Sequence, residues 1–400
     1  MTAIRDFAEL ILFASGALLA AIAVRVIAGR LRVPTAALLL LAAAAASDLS
    51  DRLATALSFD DVQRIATLAL AVILFEGGCK IGLDRFRAAA VPIVVLGTVG
   101  TLATTGLIAV AAHFVLDLSW TVSALIGAAL APTDPAVTFS VLAGREVEGR
   151  SGTILEGESG FNDPVGIALM LGVVEFATSD DASAGHVALE VVTEMTVGLV
   201  VGAVAGVLLV SLVRHIRIPD RTLVPIAVLL VACAVYGAAT MLHGSGFLAV
   251  FVAGIAFGDL RYGEERAVRS FNQALTDLGE LATFVALGLT IELAAIVDDG
   301  LWWRGLVLAA LLTLVIRPLV VAPLLAPVRL AWGERWFIVW SGLKGAVPIL
   351  LASLALVEHT EYAAELYGIV FVVVLLSVAV QGSLVPAAAA RLGVPMSAPE

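Results

Sequence analysis

Residues 155–167 read LEGESGFNDPVGI and place Glu156, Glu158 and Asp163 inside a stretch with strongly apolar flanks. Carboxyls at membrane depth are costly, and a functional role is the default reading for them. On a helix, Glu158 and Asn162 lie four apart on one face, and Ser159 and Asp163 lie four apart on the neighbouring face. One face therefore carries a carboxylate with an amide, the other a carboxylate with a hydroxyl. A second polar group sits in APTDPA (131–136), where Thr133 and Asp134 lie between Pro132 and Pro135. Neither proline can donate a hydrogen bond, so the carbonyls of Ala128 and Ala131 lose their helical partners. In hydrocarbon that loss is tolerated only where the carbonyls line a wet cavity or bind a cation. Counted from a cytoplasmic entry near Gly152, Asp163 lies about 15 Å into a hydrocarbon core of ~30 Å, and Asp134 reaches a comparable depth from the other side. Asp134, Thr133, Ser159 and Asp163 are thus expected to converge as hard oxygens, a set that suits a small alkali cation rather than an organic substrate. A carboxyl buried there is disfavoured as a bare anion, so it holds a proton or a cation. Competition between the two for one group is the chemistry that proton-coupled cation exchange requires.

Two bases are also submerged, Arg317 in VIRPLV and Lys344 in GLKGAVP. An unpaired charge at a helix centre costs at least ~2.5 kcal/mol, so each needs a partner. Glu158, Glu76 in LFEGG, Asp277 and Glu280 are the candidates. Glu158 with Arg317 is the favoured structural ion pair and Lys344 stays unassigned; both bases are expected to scaffold the site rather than handle the ion. Glu156 reads as a solvated charge in a cytoplasmic funnel. The five histidines do not cluster along the chain, and Cys79 and Cys233 lie in different apolar segments, so no metal site, histidine relay or disulfide is expected.

These groups must be held by membrane helices. The 400 residues are 60% hydrophobic and 14% charged, with a mean hydropathy of +1.04, which excludes a soluble domain. The formal charge of -11 carries no nucleic-acid footprint. Apolar runs of roughly bilayer length fall at 7–28, 33–47, 62–82, 88–116, 119–142, 153–177, 187–213, 221–242, 244–259, 270–295, 301–327, 335–357 and 364–390. About thirteen transmembrane helices are therefore expected in an all-α polytopic fold. Arg25/Arg30/Arg32, Lys80/Arg85/Arg87, Arg145/Arg150, Arg214/Arg217/Arg221, Arg261/Arg266/Arg269, Arg329/Arg335 and Arg391 mark every second boundary. The positive-inside rule then puts the N-terminus outside and the C-terminus in the cytoplasm of a multi-pass inner-membrane protein. The first run is expected to be a retained helix rather than a cleaved signal, because its positive charges follow the apolar stretch.

The fifth and twelfth runs carry helix breakers in their interior. Two inverted repeats, about 7–177 and 221–390 joined by a linking helix at 187–213, would make both broken helices fifth in their repeat and cross them at the site. Core helices at about 62–177 and 270–390 are expected within a single membrane domain, 1–400, without a soluble regulatory domain.

With APTDPA followed by EGESGFNDPVG, LFEGG upstream, and IRP and GLKGAVP downstream, the sequence resembles the sodium/proton exchanger family, its prokaryotic NhaP-like branch in particular. The resemblance extends over essentially the whole chain. It implies a homodimer with a dimerisation domain and a six-helix core that moves like an elevator. It implies that Asp163 binds ion and proton, that Thr133, Asp134 and Ser159 complete a Na+ site with Glu76 nearby, and that Glu158 and Arg317 hold Asn162 in place. Relatives commonly carry arginine where Lys344 stands, and the electrogenic branch carries a second aspartate where Asn162 stands. One carboxylate exchanging one proton for one cation moves no net charge, so electroneutral Na+ or Li+ exchange for H+ without a cofactor is expected, with K+/H+ exchange or a cation channel as alternatives. GESG (157–160) also matches the GxSG of intramembrane serine proteases, and Asp134 with Asp163 the pair of an aspartyl one. The serine reading needs a base beside Ser159, and only His113 looks membrane-embedded.

Overall fold

A computed structural model of the chain describes residues 2–31, 33–142, 147–179, 183–215, 222–260, 263, 265–358 and 363–397. Of the loop charges named above, Arg32, Arg145, Arg217, Arg221 and Arg261 lie outside these residues.

Each apolar run coincides with helix. The first half comprises α1 (Thr2–Leu31), α2 (Thr35–Asp48), α3 (Asp51–Ala54), α4 (Phe59–Val95), α5 (Thr101–Leu116), α6 (Trp120–Leu130), α7 (Pro135–Ser140), α8 (Gly149–Thr178) and α9 (Ala184–His215). The second comprises α10 (Leu223–Met241), α11 (Gly246–Gly258), α12 (Glu265–Leu289), α13 (Leu293–Asp298), α14 (Leu301–Leu311), α15 (Arg317–Leu325), α16 (Trp332–Trp340), α17 (Ala346–Val357), α18 (Ala363–Leu376) and α19 (Ser383–Leu392). Among the described residues seven helical stretches are long and apolar enough to cross a membrane, and α2, α6, α11 and α17 are shorter apolar helices. Among the described residues the one extended pairing is an isolated bridge between Val147 and Met396. The protein is an all-α polytopic membrane protein.

Boundaries differ from the sequence reading where backbone chemistry decides them. The third run and the start of the fourth form one long helix, α4, interrupted only at Gly82, whose left-handed φ of 66° turns the chain. The turn is held because Asp84 donates its N–H to Asp259 Oδ2 at 2.8 Å. The tenth run ends at Leu289, and its tail folds separately as α13. The fourth, eleventh and thirteenth runs each contain a π-helical turn, at Leu96–Gly100, Leu312–Ile316 and Ser377–Gly382. Such turns concentrate at functional positions. Here the second leads directly into Arg317 and the third carries Ser377.

The fifth and twelfth runs are broken where the prolines and glycines predict. Residues 131–134 separate α6 from α7, and 341–345 separate α16 from α17. The two gaps meet. Asp134 donates its N–H to Leu343 O at 2.8 Å, and Thr138 donates its hydroxyl to Ser341 O at 3.1 Å. The Lys344 N–H is taken by Ser377 Oγ at 3.0 Å. Backbone that would be orphaned in lipid is thus paired across the crossing, the condition for irregular chain at membrane depth.

Candidate ion-binding site

Helix α8 brings its acidic face to this crossing. Gly166 makes the approach close, since a Cβ there would overlap the ring of Pro132. Asp163 is 3% exposed; its Oδ2 accepts from Ser159 Oγ at 3.2 Å, and its Oδ1 has no hydrogen-bond partner among the described residues. Asn162 turns the other way and donates to Thr133 Oγ1 at 2.8 Å. Beside Asp163 is a cavity of about 130 Å³ whose polar wall includes Glu76, Asp134, Ser159, Asp163, Glu280 and Thr283. Gly345 packs against the Asp134 carboxylate so tightly that any Cβ there would collide with it.

The structure therefore gathers Asp163, Asp134, Ser159 and Glu76 at one cavity. Thr133 differs from the expected arrangement: it is buried next to the site but is not part of the cavity wall, and its oxygen accepts the Asn162 amide. Glu76 is 2% exposed, with Oε1 unpartnered among the described residues. A cavity lined by carboxylates and hydroxyls, with buried oxygens lacking protein donors, has the donor chemistry of an alkali-cation site.

Glu158 and Arg317 form the expected ion pair in bidentate geometry, Nη1 to Oε1 at 2.6 Å and Nη2 to Oε2 at 3.1 Å. The pair does not reach Asn162 by a hydrogen bond. Arg317 instead spends its remaining donors on the carbonyls of Val339 and Ile338, each at 3.3 Å, at the end of α16. Lys344 corrects the sequence reading more sharply. The partner sought among carboxylates is a pair of carbonyls, Ala131 O and Pro132 O, both 2.9 Å from Nζ. Each buried base thus covers the carbonyl end of one interrupted helix, where cations are favoured. Lys344 answers the carbonyl that Pro135 leaves without a helical donor.

Helix α12 supplies what sequence reasoning did not place at the site. Glu280 lines the cavity rather than pairing with a buried base, together with Thr276 and Thr283, whose hydroxyls are unpartnered among the described residues. Asn272, Thr276, Glu280 and Thr283 recur every three to four residues, so the polar stripe is visible in the sequence once the helix is assigned. Asp277 pairs with the peripheral Arg25 at 3.3 Å. Glu156 and Lys80 also line the cavity; Glu156 lies 3.6 Å from Arg85, and Lys80 donates to Gln273 Oε1 at 2.9 Å. Away from this site, Glu175, His186 and Glu190 bring ligand-type atoms within 4.8 Å of one another, a grouping the histidine spacing does not suggest. Cys79 and Cys233 are free thiols, His113 binds Leu118 O at 2.7 Å, and among the described residues no histidine is seen bonded to Ser159, whose hydroxyl goes to Asp163.

Comparison with known proteins gives this geometry a setting. The model of the transmembrane sodium/hydrogen exchanger family matches residues 15–391. The chain belongs to the sodium/hydrogen exchanger family. That family consists of transporters, not enzymes. The K(+)/H(+) antiporter NhaP2 of Shewanella sp. (strain MR-4) is 33% identical over 385 residues, which cover 94% of this chain and 66% of that protein. The Na(+)/H(+) antiporter NhaH of Halobacillus aidingensis is 28% identical, over 82% of this chain and 83% of its own. The chain accordingly spans just under two thirds of the NhaP2 relative's length. The structure of the sodium proton antiporter MjNhaP1 from Methanocaldococcus jannaschii superposes with a TM-score of 0.81 at 23% identity, covering 97% of this chain and 99% of that one. That likeness shows the fold.

Proposed function

We propose that the chain catalyses electroneutral exchange of one monovalent cation for one proton, with Asp163 held in turn by the cation and by the proton. The observation that carries this reading is the buried Asp163 carboxylate with an unsatisfied oxygen, beside the Asp134 carboxylate and hydroxyls, at the meeting point of two interrupted helices. Asn162 matters as much as Asp163. With an amide there, and with Glu158 and Glu156 paired with Arg317 and Arg85, the site offers one exchangeable charge on α8, so replacing H+ by a monovalent cation leaves its net charge unchanged. Asp134 and Ser159 are assigned as cation ligands, Thr133 and Asn162 as the pair that orients the gap, and Glu76 and Glu280 as further acidic wall.

The same reading takes Lys80, Arg85 and Glu156 as the cytoplasmic mouth, which makes this an inward-facing state with the N-terminus outside. It also takes the helices as two inverted repeats, about thirteen spans in all, in a homodimer whose core moves relative to its scaffold. For the cation, Na+ and Li+ follow from the small oxygen site. K+ is the second reading, favoured because the NhaP2 relative that aligns over 94% of the chain is named for K+. Purified protein in liposomes with a preset pH gradient decides between them. Collapse on adding Na+, Li+ or K+ identifies the cation, and an equal rate with the membrane potential shunted supports electroneutrality. No collapse with any of the three from folded protein overturns the reading.

A further inference from the structure

A second cavity, of about 460 Å³, sits at the opposite end of the molecule from Lys80 and Glu156. Its wall includes Phe59, Thr290, Glu292, Arg304, Glu365 and Tyr367. It shares no lining residue with the cavity at Asp163, yet the same three helices serve both. On α4 the site cavity reaches Ala66 and the second begins at Phe59; along α12 the limits are Phe284 and Thr290, the residue just past its end; on α17 they are Leu350 and Leu356. Six or seven residues separate the two on every helix, about 10 Å of helical rise. The two cavities are therefore successive along one axis, divided by a short plug that contains the fully buried Val62, Leu287 and Ser353.

The plug has an outer bolt. Tyr367 on α18 places its hydroxyl 2.5 Å from Oγ1 of Thr290, the residue that follows α12. The Thr290 hydroxyl donates to Leu287 O at 2.8 Å, so in the Tyr367 contact the tyrosine is the donor. Phe59 on α4 meets the Tyr367 ring edge to face, with centroids 5.8 Å apart and planes at 87°. Arg304 and Glu365 form an ion pair beside it. Glu292, Asp299 and Glu365 outnumber Arg304 in the cavity wall, which makes the mouth attractive to cations.

We propose that this second cavity is the outer vestibule of the cation path, and that Tyr367, held by Thr290 and Phe59, is the positioning residue that closes the vestibule off from Asp163. The proposal rests on the exchange reading above. It adds that opening to the outside requires Tyr367 to leave Thr290, whereas the inner mouth needs no such step.

The test uses the full chain with Cys79→Ser and Cys233→Ser, and with Ser353→Cys as a reporter inside the plug. Asp298→Cys, on the exposed rim, marks the outer face for a membrane-impermeant thiosulfonate reagent in vesicles. Tyr367→Ala should raise reporter labelling from that face by about tenfold, the population shift expected from losing one hydrogen bond together with an aromatic pair. Tyr367→Phe, which keeps the ring, should raise it by a smaller factor. Labelling unchanged in Tyr367→Ala protein that stays monodisperse and marks normally at the rim overturns the proposal. If Tyr367→Ala fails to fold, Tyr367→Phe combined with Thr290→Val carries the test, and unchanged labelling there overturns it equally. Cation/proton exchange measured on the same vesicles separates the two claims. Exchange without a labelling gain refutes the bolt alone, and a labelling gain without exchange refutes the exchange reading while supporting a barrier at Tyr367.

Discussion

At the scale of single residues, charge count governs the account. Asn162→Asp places a second carboxylate one position from Asp163. If that group also titrates during the cycle, exchange becomes electrogenic, and the rate of pH-gradient collapse should then depend on an imposed membrane potential, whereas the proposed wild-type exchange should not. Glu158→Gln should be costly for a different reason. It leaves the 5%-exposed Arg317 without its counter-charge, and breaking such a buried pair typically costs about 3–5 kcal/mol. A marked fall in the thermal unfolding midpoint in detergent is expected; an unchanged midpoint would show that Arg317 finds equivalent acceptors.

The positions of these residues were largely legible beforehand, because charges and prolines are conspicuous in lipid-like sequence. Asp163, Ser159, Asp134 and the Glu158–Arg317 pair could be picked out by type, spacing and depth. The partner of Lys344 could not, because a search among carboxylates overlooks backbone carbonyls, which every residue carries and only the fold exposes. Thr133 was misplaced by proximity in sequence to Asp134: a gap in a helix can send adjacent side chains to different neighbours.

Secondary-structure elements position the chemistry through the two crossed gaps. Lys344→Met would leave the carbonyls of Ala131 and Pro132 without their donor, at about 1–3 kcal/mol each. Lys344→Arg keeps the charge and should retain most of the stability, so the pair of variants compared by thermal unfolding separates lost capping from lost packing. Gly345→Ala presses a methyl group into the Asp134 carboxylate. It should raise the KM for the cation more than it lowers the maximal rate, read from exchange at varied cation concentration. The breaks at 131–134 and 341–345 were visible as Pro and Gly clusters. The π-helical turns and the single-residue interruption at Gly82 were not, because nothing in composition separates a π turn from ordinary helix, and Gly82 turns the chain without a loop.

Across the whole molecule, one cavity holds the acidic site and opens toward Lys80 and Glu156, while a second lies beyond a short plug. Hydropathy outlined the helical architecture well. The contribution of α12 was hidden because Glu280 was read as a counter-ion for a buried base, whereas its helix turns that face to the cavity. If proton and cation compete for one carboxylate, linkage requires the apparent KM for the cation to rise by about tenfold per unit of falling pH once protons dominate the site. Exchange rates at fixed cation should therefore fall on the acid side and recover with added cation; a pH effect that saturating cation does not relieve would place the proton elsewhere.

The central claim is that Asp163 gives up a proton when it takes a cation, and proton release from purified, weakly buffered protein on addition of Na+ or K+ reads this without transport. Wild-type protein should release about one proton per chain, and Asp163→Asn should release none while remaining monodisperse. Release of the same size from the Asp163→Asn variant would contradict the account.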